Sequence, residues 1–523
     1  MHKTLTTAVL LAALGVGAPA AHAFCGFYVN GAGGDMFNDA TQVVLMRMGT
    51  RTVLSMQNNY KGPPEAFALV IPVPTVLQET DVKTLPKDVF GRVDQMGAPR
   101  LVEYWERDPC YVEPPRRRER DGVAYSSGAM PPPSPSPGGA HGVTVEAKFE
   151  VGEYQIVILS AKDAAGLDAW LREEKYQIPA GAEPFLRPYV EAGMKFFVAK
   201  VDPAKVTFQD GRAVLSPLRF HYDADDFNLP IRLGLANSSG TQDLIVSILA
   251  PNQRYEVANY GNVTIPTNLD VKDAVKAKFG EFYAALFDRT VEKNPGAVVT
   301  EYAWSAGSCD PCPGPTLQGS DFATLGADVL AGAPGQVAPY QGWDLVLTRL
   351  HARYGKTVTE DLVFKAAPPI VGGREHVVAG GKLEERSRPD SINNFQARYA
   401  IRHAWTGPIT CKDPKRGIWG GPPSGVASDG VKPALDLAFA PRGAAKLPEL
   451  VSQDIPELEV KAAAAAAGGD TSQANPPPGA TPPGGAKTDK KSGCGCDTDG
   501  RGGAPALAGG LGVAALILRR RRR

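Results

Sequence analysis

Short stretches in which apolar and polar residues alternate recur through most of the chain. Because successive side chains of a β-strand point to opposite faces of a sheet, this pattern predicts strands. The segments 41–58 and 143–159 each hold two such stretches around a turn, at Gly49 and Gly152, and predict β-hairpins. Further strands are predicted at 67–73, 100–106, 195–201, 213–222, 231–235, 243–250, 254–259, 298–304, 345–354, 358–364 and 397–405.

Helical spacing of apolar residues occurs in only three places, at irregular intervals among the strands. These predicted helices cover 87–95, 163–175 and 271–287. The last has the clearest pattern, since Val275, Phe279 and Phe282 fall on one face. Strands that outnumber helices and do not alternate with them regularly predict an α+β fold. We expect mostly antiparallel β-sheet with interspersed helices, and no repeating βαβ unit.

Two tracts lack the apolar residues that a packed core requires. The segment 113–140 combines a charge run at 116–120 with a proline run at 131–137, and it predicts a long exposed loop. The segment 426–492 is rich in alanine, proline and glycine, and it predicts a disordered linker. The folded domain is therefore predicted to span 24–425.

The N-terminus has the three-part pattern of a secretory signal peptide. Lys3 gives a basic start, an apolar run follows at 5–16, and a small-x-small cleavage site ends at Ala23. The apolar run is too short to cross a bilayer as a helix. We predict that 1–23 is a signal peptide, that signal peptidase cleaves after Ala23, and that the domain is exported.

The C-terminus predicts a membrane segment. Cys494 and Cys496 stand among glycines ahead of an apolar stretch at 502–518, and a cluster of arginines follows. The stretch is just long enough for a transmembrane helix. The positive-inside rule would keep the arginines in the cytoplasm and the large domain outside the inner membrane.

These parts, in this order, resemble a MYXO-CTERM sorting tail, in which an intramembrane protease is thought to cut near the cysteine and leave a lipid-linked surface anchor. The resemblance implies that 493–523 is a sorting signal in which Cys494 or Cys496 is processed. It makes the terminal arginines the retention signal: Arg519, Arg520, Arg521, Arg522 and Arg523. The partners implied are signal peptidase, a C-terminal sorting protease and the membrane. The processed chain would lie at the outer-membrane surface, whereas an intact tail would leave it anchored in the inner membrane.

Overall charge argues against one class of function. The chain holds 56 Lys and Arg against 56 Asp and Glu, so its net charge is 0, whereas nucleic-acid-binding proteins carry a basic excess. Hydrophobic residues make up 43% of the chain, which is enough for one large domain or two closely packed ones. We therefore expect no nucleic-acid partner.

Several blocks of the domain resemble an uncharacterised bacterial family, domain of unknown function 2330 (DUF2330). The blocks are 25–29, 58–74, 153–160, 229–234 and 309–312. The resemblance implies a family of exported and often membrane-anchored proteins. It supplies no activity and no functional residues.

Cysteines of an exported domain are expected to form disulfides. The candidates in the domain are Cys25, Cys110, Cys309, Cys312 and Cys411. Pairing cannot be deduced from one sequence. We favour Cys25 with Cys110, and Cys411 with either Cys309 or Cys312, while a bridge between Cys309 and Cys312 is a close alternative.

Other chemistry is possible at these cysteines. Thiol–disulfide exchange at Cys309-x-x-Cys312 would need a lowered thiol pKa, but the following Pro313 and Pro315 do not begin a helix that could supply it. Zinc would need about four ligands, which His403 and Cys411 could complete. Structural disulfides remain the preferred interpretation.

Three further groups are weighed against ordinary structural roles. Acidic residues at Asp223, Asp225 and Asp226 could bind calcium, but we favour a solvated strand end. Four tryptophans could line a sugar-binding platform, although large aromatic residues are more often core: Trp304, Trp343, Trp405 and Trp419. Familiar hydrolase motifs are absent from the sequence, and His351, His376 and Glu375 are interpreted as ordinary residues.

The sequence therefore predicts an exported, surface-anchored cell-envelope protein of unknown molecular activity. We prefer a non-enzymatic binding or structural module, with no cofactor and no bound metal, and the surface ligand is unknown. The alternative is an envelope hydrolase or another enzyme with an unrecognised active site. Such a site can be assembled from distant positions, so catalytic residues cannot be named from sequence.

Overall fold

The computed structural model describes residues 27–30, 37–61, 67–111, 142–330, 342–376 and 383–463, apart from positions 175, 177, 179–180, 210–211, 238–239, 427, 429, 438–442 and 444. These residues belong to one compact unit, Met1–Ala464. The predicted signal peptide, the predicted loop 113–140, the predicted sorting signal and Cys25 lie outside the described residues.

Strands dominate the described part of the chain, as the alternation predicted. The first thirteen are β1 (Phe27–Asn30), β2 (Phe37–Met48), β3 (Arg51–Lys61), β4 (Phe67–Val73), β5 (Val82–Thr84), β6 (Arg100–Glu106), β7 (Val143–Val151), β8 (Tyr154–Ala161), β9 (Lys195–Val201), β10 (Thr207–Gln209), β11 (Arg212–Val214), β12 (Leu218–Asp223) and β13 (Asn228–Leu229). The others are β14 (Gln242–Pro251), β15 (Arg254–Val257), β16 (Asn262–Thr264), β17 (Leu269–Asp270), β18 (Val298–Ser305), β19 (Leu345–Tyr354), β20 (Leu362–Ala367), β21 (Ile370–Gly372), β22 (Arg388–Pro389), β23 (Asn394–Gln396), β24 (Arg398–His403), β25 (Trp419–Gly420) and β26 (Lys432–Pro433).

Helices are fewer and mostly short. The α-helices are α1 (Asp88–Gly97), α2 (Ala164–Glu173), α3 (Glu183–Glu191), α4 (Phe279–Lys293), α5 (Gly319–Phe322), α6 (Asp328–Leu330) and α7 (Leu447–Leu450). A π-helix at Ala323–Ala327 joins α5 to α6, and 3-10 turns include Arg232–Asn237 and Asp273–Ala277. The predicted α+β class, with mostly sheet and few helices, is confirmed.

The largest sheet forms the centre of the molecule. Its strand order is β22-β21-β23-β18-β19-β14-β2-β3-β12-β5, and β16 pairs with β18 at the side. Most of its ladders are antiparallel, but β2 and β14 run parallel. The sheet is covered on both faces, which explains the nearly continuous apolar run of β2. Val43 and Leu45 face one core cluster, while Val44 and Met46 face another.

A second sheet, β1-β4-β9-β8-β7, packs over one face of the first. The core between them draws alternate residues from both sheets, for example Leu45, Phe220, Ile158 and Phe197. Helices α2 and α3 cover the outer face of the second sheet, where Leu167 and other apolar side chains are fully buried. This layered arrangement buries both faces of each sheet without a repeating βαβ unit.

The opposite face of the central sheet is covered by α1 and α4. Beside them lies a small sheet of order β17-β24-β6-β25, with β26 also paired to β6. Strands β6 and β24 run parallel, with Glu103 opposite Ile401 and Trp105 opposite His403. Segments about 300 residues apart therefore lie side by side, and the candidate site forms at the end of this pair.

One predicted strand is a turn in the structure, and one helix forms where none was predicted. The predicted strand 231–235 is a 3-10 turn, because Pro230 lacks an N–H and the carboxylate of Asp361 accepts the N–H groups of Ile231 at 2.8 Å and Arg232 at 3.1 Å. Helix α3 was not predicted, and it contains prolines, which disfavour a helix interior. It forms nonetheless, and its Leu186 and Tyr189 are buried against α2 and the second sheet.

Order continues past the predicted start of the linker. The sequence placed a disordered linker at 426–492, yet the structure describes a chain with buried side chains as far as Val460. Val451, Ile455 and Leu458 pack into the core around α4, and Val451 bridges to Val271. These apolar residues are isolated among prolines and acidic residues, so they formed no period that a sequence pattern could detect.

Among the described residues, no helix has both the length and the apolar character needed to cross a membrane. The predicted transmembrane segment 502–518 is not among them.

Candidate functional site

An open cleft of about 770 Å³ lies where β6 ends. Its walls come from the end of β6, the loop that follows it, and the segments on either side of β25. The lining residues are Trp105, Glu106, Arg107, Asp108, Tyr111, Trp405, Gly421, Pro422, Pro423 and Ser424. Aromatic rings, prolines and a few charged side chains thus share one concave surface, which is the composition typical of ligand pockets.

The disulfide Cys110–Cys411 holds the two main walls of the cleft together. Its Cα atoms are 5.4 Å apart although the cysteines are separated by 301 positions. Backbone bonds reinforce the junction, since Arg107 N–H donates to the Ile418 carbonyl and Lys415 N–H to the Pro109 carbonyl, both at 2.8 Å. The predicted pairing of Cys110 with Cys25 is replaced by this bridge, because the parallel β6–β24 pair brings the distant Cys411 beside Cys110.

Glu106 fixes the position of Trp405. The Glu106 carboxylate accepts two bonds at 2.8 Å from the Arg416 guanidinium, one at 2.7 Å from Gly417 N–H and one at 3.0 Å from Trp405 N–H. The bonds from Arg416 and from the two backbone N–H groups lower the pKa of Glu106 to about 2. The carboxylate is therefore ionised at neutral pH and serves as an anchor for the 405–417 segment.

The ring of Trp105 stacks on the ring of His403. The rings of Trp105 and His403 have centroids 4.7 Å apart and an interplanar angle of 20°. His403 Nε2 lies 2.9 Å from Glu103, and the Lys276 ammonium donates to the same carboxylate at 2.8 Å. Burial opposes ionisation of Glu103, but Lys276 and His403 together lower its pKa. This chain of contacts orients the Trp105 ring at the mouth of the cleft.

A group of possible metal ligands adjoins this chain. Glu103, Asp273 and His403 offer ligand atoms that all lie within 4.8 Å of one another. The Lys276 ammonium already donates to the Glu103 carboxylate. A metal ion would therefore compete with this ammonium group for the carboxylate. We assign no metal to this group.

Exposed hydrophobic side chains concentrate in the segments that build the cleft. Tyr111 is 53% exposed, and Ile409, Ile418 and Val426 are each more than two-fifths exposed. Large apolar side chains that remain exposed close together commonly mark interaction surfaces. Tyr111 lines the cleft, and the other three lie in the segments that precede or follow its lining residues.

Three of the four predicted platform tryptophans have described side chains, and these do not line one surface together. Trp405 lines the cleft, while Trp419 lies beneath the Arg402 guanidinium, 5.0 Å from it. Trp304 packs against the core around α1. Trp343 belongs to the turn Gly342–Asp344, and the placement of its side chain is not described. Trp105, which was not among the predicted tryptophans, lines the cleft with Trp405.

The other predicted site residues have structural partners. Cys309 pairs with Cys312, so the predicted bridge from Cys411 to either of them does not form. A zinc set of Cys309, Cys312, His403 and Cys411 is excluded in this structure, because all three sulfurs are in disulfides. Asp223 forms an ion pair with Arg51 at 2.6 Å, and the backbone carbonyl of Asp225 accepts a bond from Arg47.

A buried polar network lies apart from the cleft, between α4 and the central sheet. Glu301 accepts from Tyr283 OH at 2.7 Å and from Arg349 Nε at 2.7 Å, and His351 Nδ1 lies 2.8 Å from it. Arg349 also donates to Asp94. Burial alone would raise the pKa of Glu301, but His351 and Arg349 outweigh it and lower the pKa to about 2. His351 is 2% exposed and stacks on Phe287, which supports the structural role predicted for it.

The pair Glu375 and His376 lies at the surface rather than in a pocket. The Glu375 carboxylate is 4.0 Å from Arg398, and the His376 backbone carbonyl accepts a bond from Glu384 N–H.

Comparison with known proteins gives one family match. A family model described as an uncharacterised protein conserved in bacteria (DUF2330) matches residues 19–365. No curated protein and no solved structure matches the chain. The matched range includes Trp105 and Cys110 on one wall of the cleft, and ends before Trp405 and Cys411 on the other.

Proposed function

The chain belongs to the DUF2330 family of uncharacterised bacterial proteins, and from that premise we propose that it is an exported, surface-anchored envelope protein that binds a glycan in the cleft at the end of β6. The observation that carries this proposal is the aromatic cleft itself. Trp105, Tyr111 and Trp405 line one concave surface together with Arg107 and Asp108.

Aromatic faces and mixed polar groups suit a sugar ligand. The C–H faces of a sugar ring pack on an aromatic ring, while hydroxyl groups exchange hydrogen bonds with charged side chains at the rim. Arg107 and Asp108 are exposed and lie beside the aromatic residues, so both a donor and an acceptor are at hand. A glycan is also the ligand most available to a protein held at a bacterial surface.

Binding without turnover is favoured over hydrolysis at this site. A general acid or base works best with a pKa near the working pH. Among the described lining residues the carboxylates are Glu106 and Asp108, and a pKa of about 2 keeps Glu106 ionised and only weakly basic at pH 7. Its oxygens are also occupied by Arg416 and two backbone N–H groups.

Export and anchoring are supported by the two ends of the sequence and by the disulfides. The predicted signal peptide would direct export, and the predicted sorting tail would direct anchoring. The bridges Cys110–Cys411 and Cys309–Cys312 fit an oxidising compartment outside the cytoplasm.

Export is tested by mass spectrometry of the protein isolated from its native host. The proposal expects a chain that begins at Phe24 and ends near Cys494 with an added lipid. A chain that still ends at Arg523 would make it an inner-membrane protein, and retention of 1–23 would argue against cleaved export.

Glycan binding is tested by co-sedimentation of the full-length chain with insoluble envelope polysaccharide from the host. The wild-type chain is expected in the pellet, and the variant Trp105→Ala/Trp405→Ala in the supernatant. Trp170→Ala is the matched control, because Trp170 is a half-buried tryptophan on α2, away from the cleft. Equal sedimentation of all three would contradict the proposal, and competition by a proline-rich peptide alone would assign the cleft to peptides. Release of soluble sugars would indicate an enzyme.

A further inference from the structure

The loop that contains Cys309 and Cys312 lies outside the cleft, and glycan binding does not explain its disulfide. It lies between β18 and α5, on the side of the central sheet covered by α1. Cys312 is exposed, whereas Cys309 is half-buried and packs against the core around α1. A thiol from outside can therefore reach the sulfur of Cys312 more readily than that of Cys309.

The loop is held in place by side chains and does not depend on its disulfide. Gln396 donates to the Asp310 carbonyl at 2.7 Å, Arg100 to the Pro311 carbonyl at 3.0 Å, and Gln95 to the Pro313 carbonyl at 2.9 Å. Each anchor comes from a different element, namely β23, β6 and α1. None of these three contacts involves a sulfur atom, so we expect them to persist when the sulfur–sulfur bond opens.

The short bridge stabilises the fold less than the long-range bridge does. In the chain-entropy model the stabilisation by a disulfide grows with the length of the loop it closes. Cys309 and Cys312 are separated by 3 positions, against 301 for Cys110 and Cys411. Stabilisation of the fold therefore explains the long-range bridge better than it explains the short one.

A buried positive charge lies against the loop. Arg100 is 0% exposed and donates to the carbonyls of Met96, Ala98 and Pro311. Among the described residues no carboxylate forms an ion pair with it, although its guanidinium lies over the Tyr302 ring at 5.3 Å. A cation close to a cysteine stabilises the thiolate over the thiol. Arg100 donates to the Pro311 carbonyl, in the peptide between the two cysteines, so we expect its charge to favour the reduced form of the pair.

We propose that Cys309–Cys312 is a thiol–disulfide exchange site whose reaction partner is a dithiol. A thiolate of the partner attacks Cys312 Sγ, forms a mixed disulfide and releases Cys309 as a thiolate. The partner's second thiolate then attacks the partner's sulfur in the mixed disulfide and displaces Cys312 as a thiolate. The partner leaves as a disulfide, and the chain remains as a dithiol. Two electrons pass to the chain, and the two protons come from the partner's thiols.

The sequence supplied the cysteine spacing but not the charge. Exchange was disfavoured because no helix N-terminus follows Cys312, and Pro313 and Pro315 do begin an irregular segment. The missing positive charge comes instead from Arg100, more than two hundred positions away in the chain. This inference is independent of the glycan-binding proposal, since the loop does not line the cleft.

The first test uses the chain's other disulfide as an internal reference. The full-length chain is equilibrated with graded mixtures of reduced and oxidised glutathione, and free thiols are alkylated and located by mass spectrometry. Cys309–Cys312 is expected to have an equilibrium constant for reduction about tenfold or more above that of Cys110–Cys411, which is about 30 mV for a two-electron couple. Reduction of both pairs together, or of Cys110–Cys411 first, would overturn the proposal.

The second test uses two single-cysteine variants of the loop. Cys309→Ala leaves the exposed Cys312, and Cys312→Ala leaves the half-buried Cys309 as a matched control. With oxidised glutathione, Cys312 is expected to form a mixed disulfide about tenfold faster than Cys309, because thiol access governs the rate. Equal rates would remove the assignment of Cys312 as the attacked sulfur.

The third test addresses the charge. Arg100→Met is expected to lower the equilibrium constant for reduction of Cys309–Cys312 about tenfold, whereas Gln95→Leu, which removes a loop contact without a charge, leaves it unchanged. Equal effects of the two variants would show that loop geometry, and not charge, sets the equilibrium. If Arg100→Met does not fold, the glutathione equilibrium and the two cysteine variants still decide the proposal.

Discussion

The Cys110–Cys411 disulfide joins residues 301 positions apart, and Cys110 directly precedes Tyr111 in the lining of the cleft. Cys110 follows β6, and Cys411 lies between β24 and β25, both of which pair with β6. The bridge therefore ties together the two segments that carry Trp105 and Trp405. Its loss should affect both the stability of the fold and the shape of the cleft.

Removing this bridge is expected to destabilise the chain more than removing the short one. The chain-entropy model gives about 6 kcal/mol for a loop of this length, and about 2 kcal/mol for a loop of about four residues. Cys110→Ala/Cys411→Ala is compared with Cys309→Ala/Cys312→Ala by urea unfolding under non-reducing conditions. Equal losses of unfolding free energy would contradict the structural role given to the long-range bridge.

The buried network around Glu301 should be sensitive to loss of its charge. Glu301→Gln keeps the shape of the side chain but leaves Arg349 with Asp94 as its remaining carboxylate partner. Breaking a buried ion pair typically costs about 3–5 kcal/mol, so a loss of that order is expected in urea unfolding. Glu183→Gln is the matched control, since Glu183 pairs with Arg187 at the surface of α3, and little change is expected there. A small loss of unfolding free energy in Glu301→Gln would show that the network contributes little to stability.

Acid is expected to release the anchor at Glu106. The folded-state pKa of Glu106 is lowered to about 2 from its ordinary value of 4.5. A carboxyl group with a depressed folded-state pKa stabilises the fold fully above its unfolded pKa, and this contribution is lost as the pH falls from about 4.5 toward 2. The difference in stability between wild type and Glu106→Gln should thus be full at pH 7 and vanish near pH 2. A difference that stays constant over this range would show that the ionised carboxylate contributes nothing.

The sequence predicted the strands well because most of them are set by local alternation. The hairpin at 41–58 and the strands at 100–106 and 345–354 coincide with β2–β3, β6 and β19. Alternation fails where a distant residue decides the backbone, as Asp361 does for the turn that begins at Arg232.

The candidate site could be predicted only in part, for the same physical reason. Trp405 was among the predicted platform tryptophans, but Trp105 was not, because nothing near it in the sequence marks it. Its role follows from the parallel pairing of β6 with β24, which also brings Cys411 to Cys110. A single sequence holds no local signal for contacts between segments so far apart. The same limit hid Arg100 beneath the Cys309–Cys312 loop.

The aromatic residues of the cleft are expected to act together. Each of Trp105→Ala and Trp405→Ala should weaken glycan binding by about tenfold or more, since each removes an aromatic face worth roughly 1–3 kcal/mol of contact. His403→Ala is a useful companion variant, because it removes the ring stacked behind Trp105 without touching the lining. A weaker loss is expected there, and no loss at all would indicate that Trp105 does not need this support.

The most direct test of the binding function is a fluorescence titration of the full-length chain with soluble fragments of host envelope polysaccharide. A saturable change in tryptophan emission is predicted for the wild type and for Trp170→Ala, and it should be absent from Trp105→Ala/Trp405→Ala. A signal that never saturates, or one that persists in the double variant, would contradict glycan binding in the cleft.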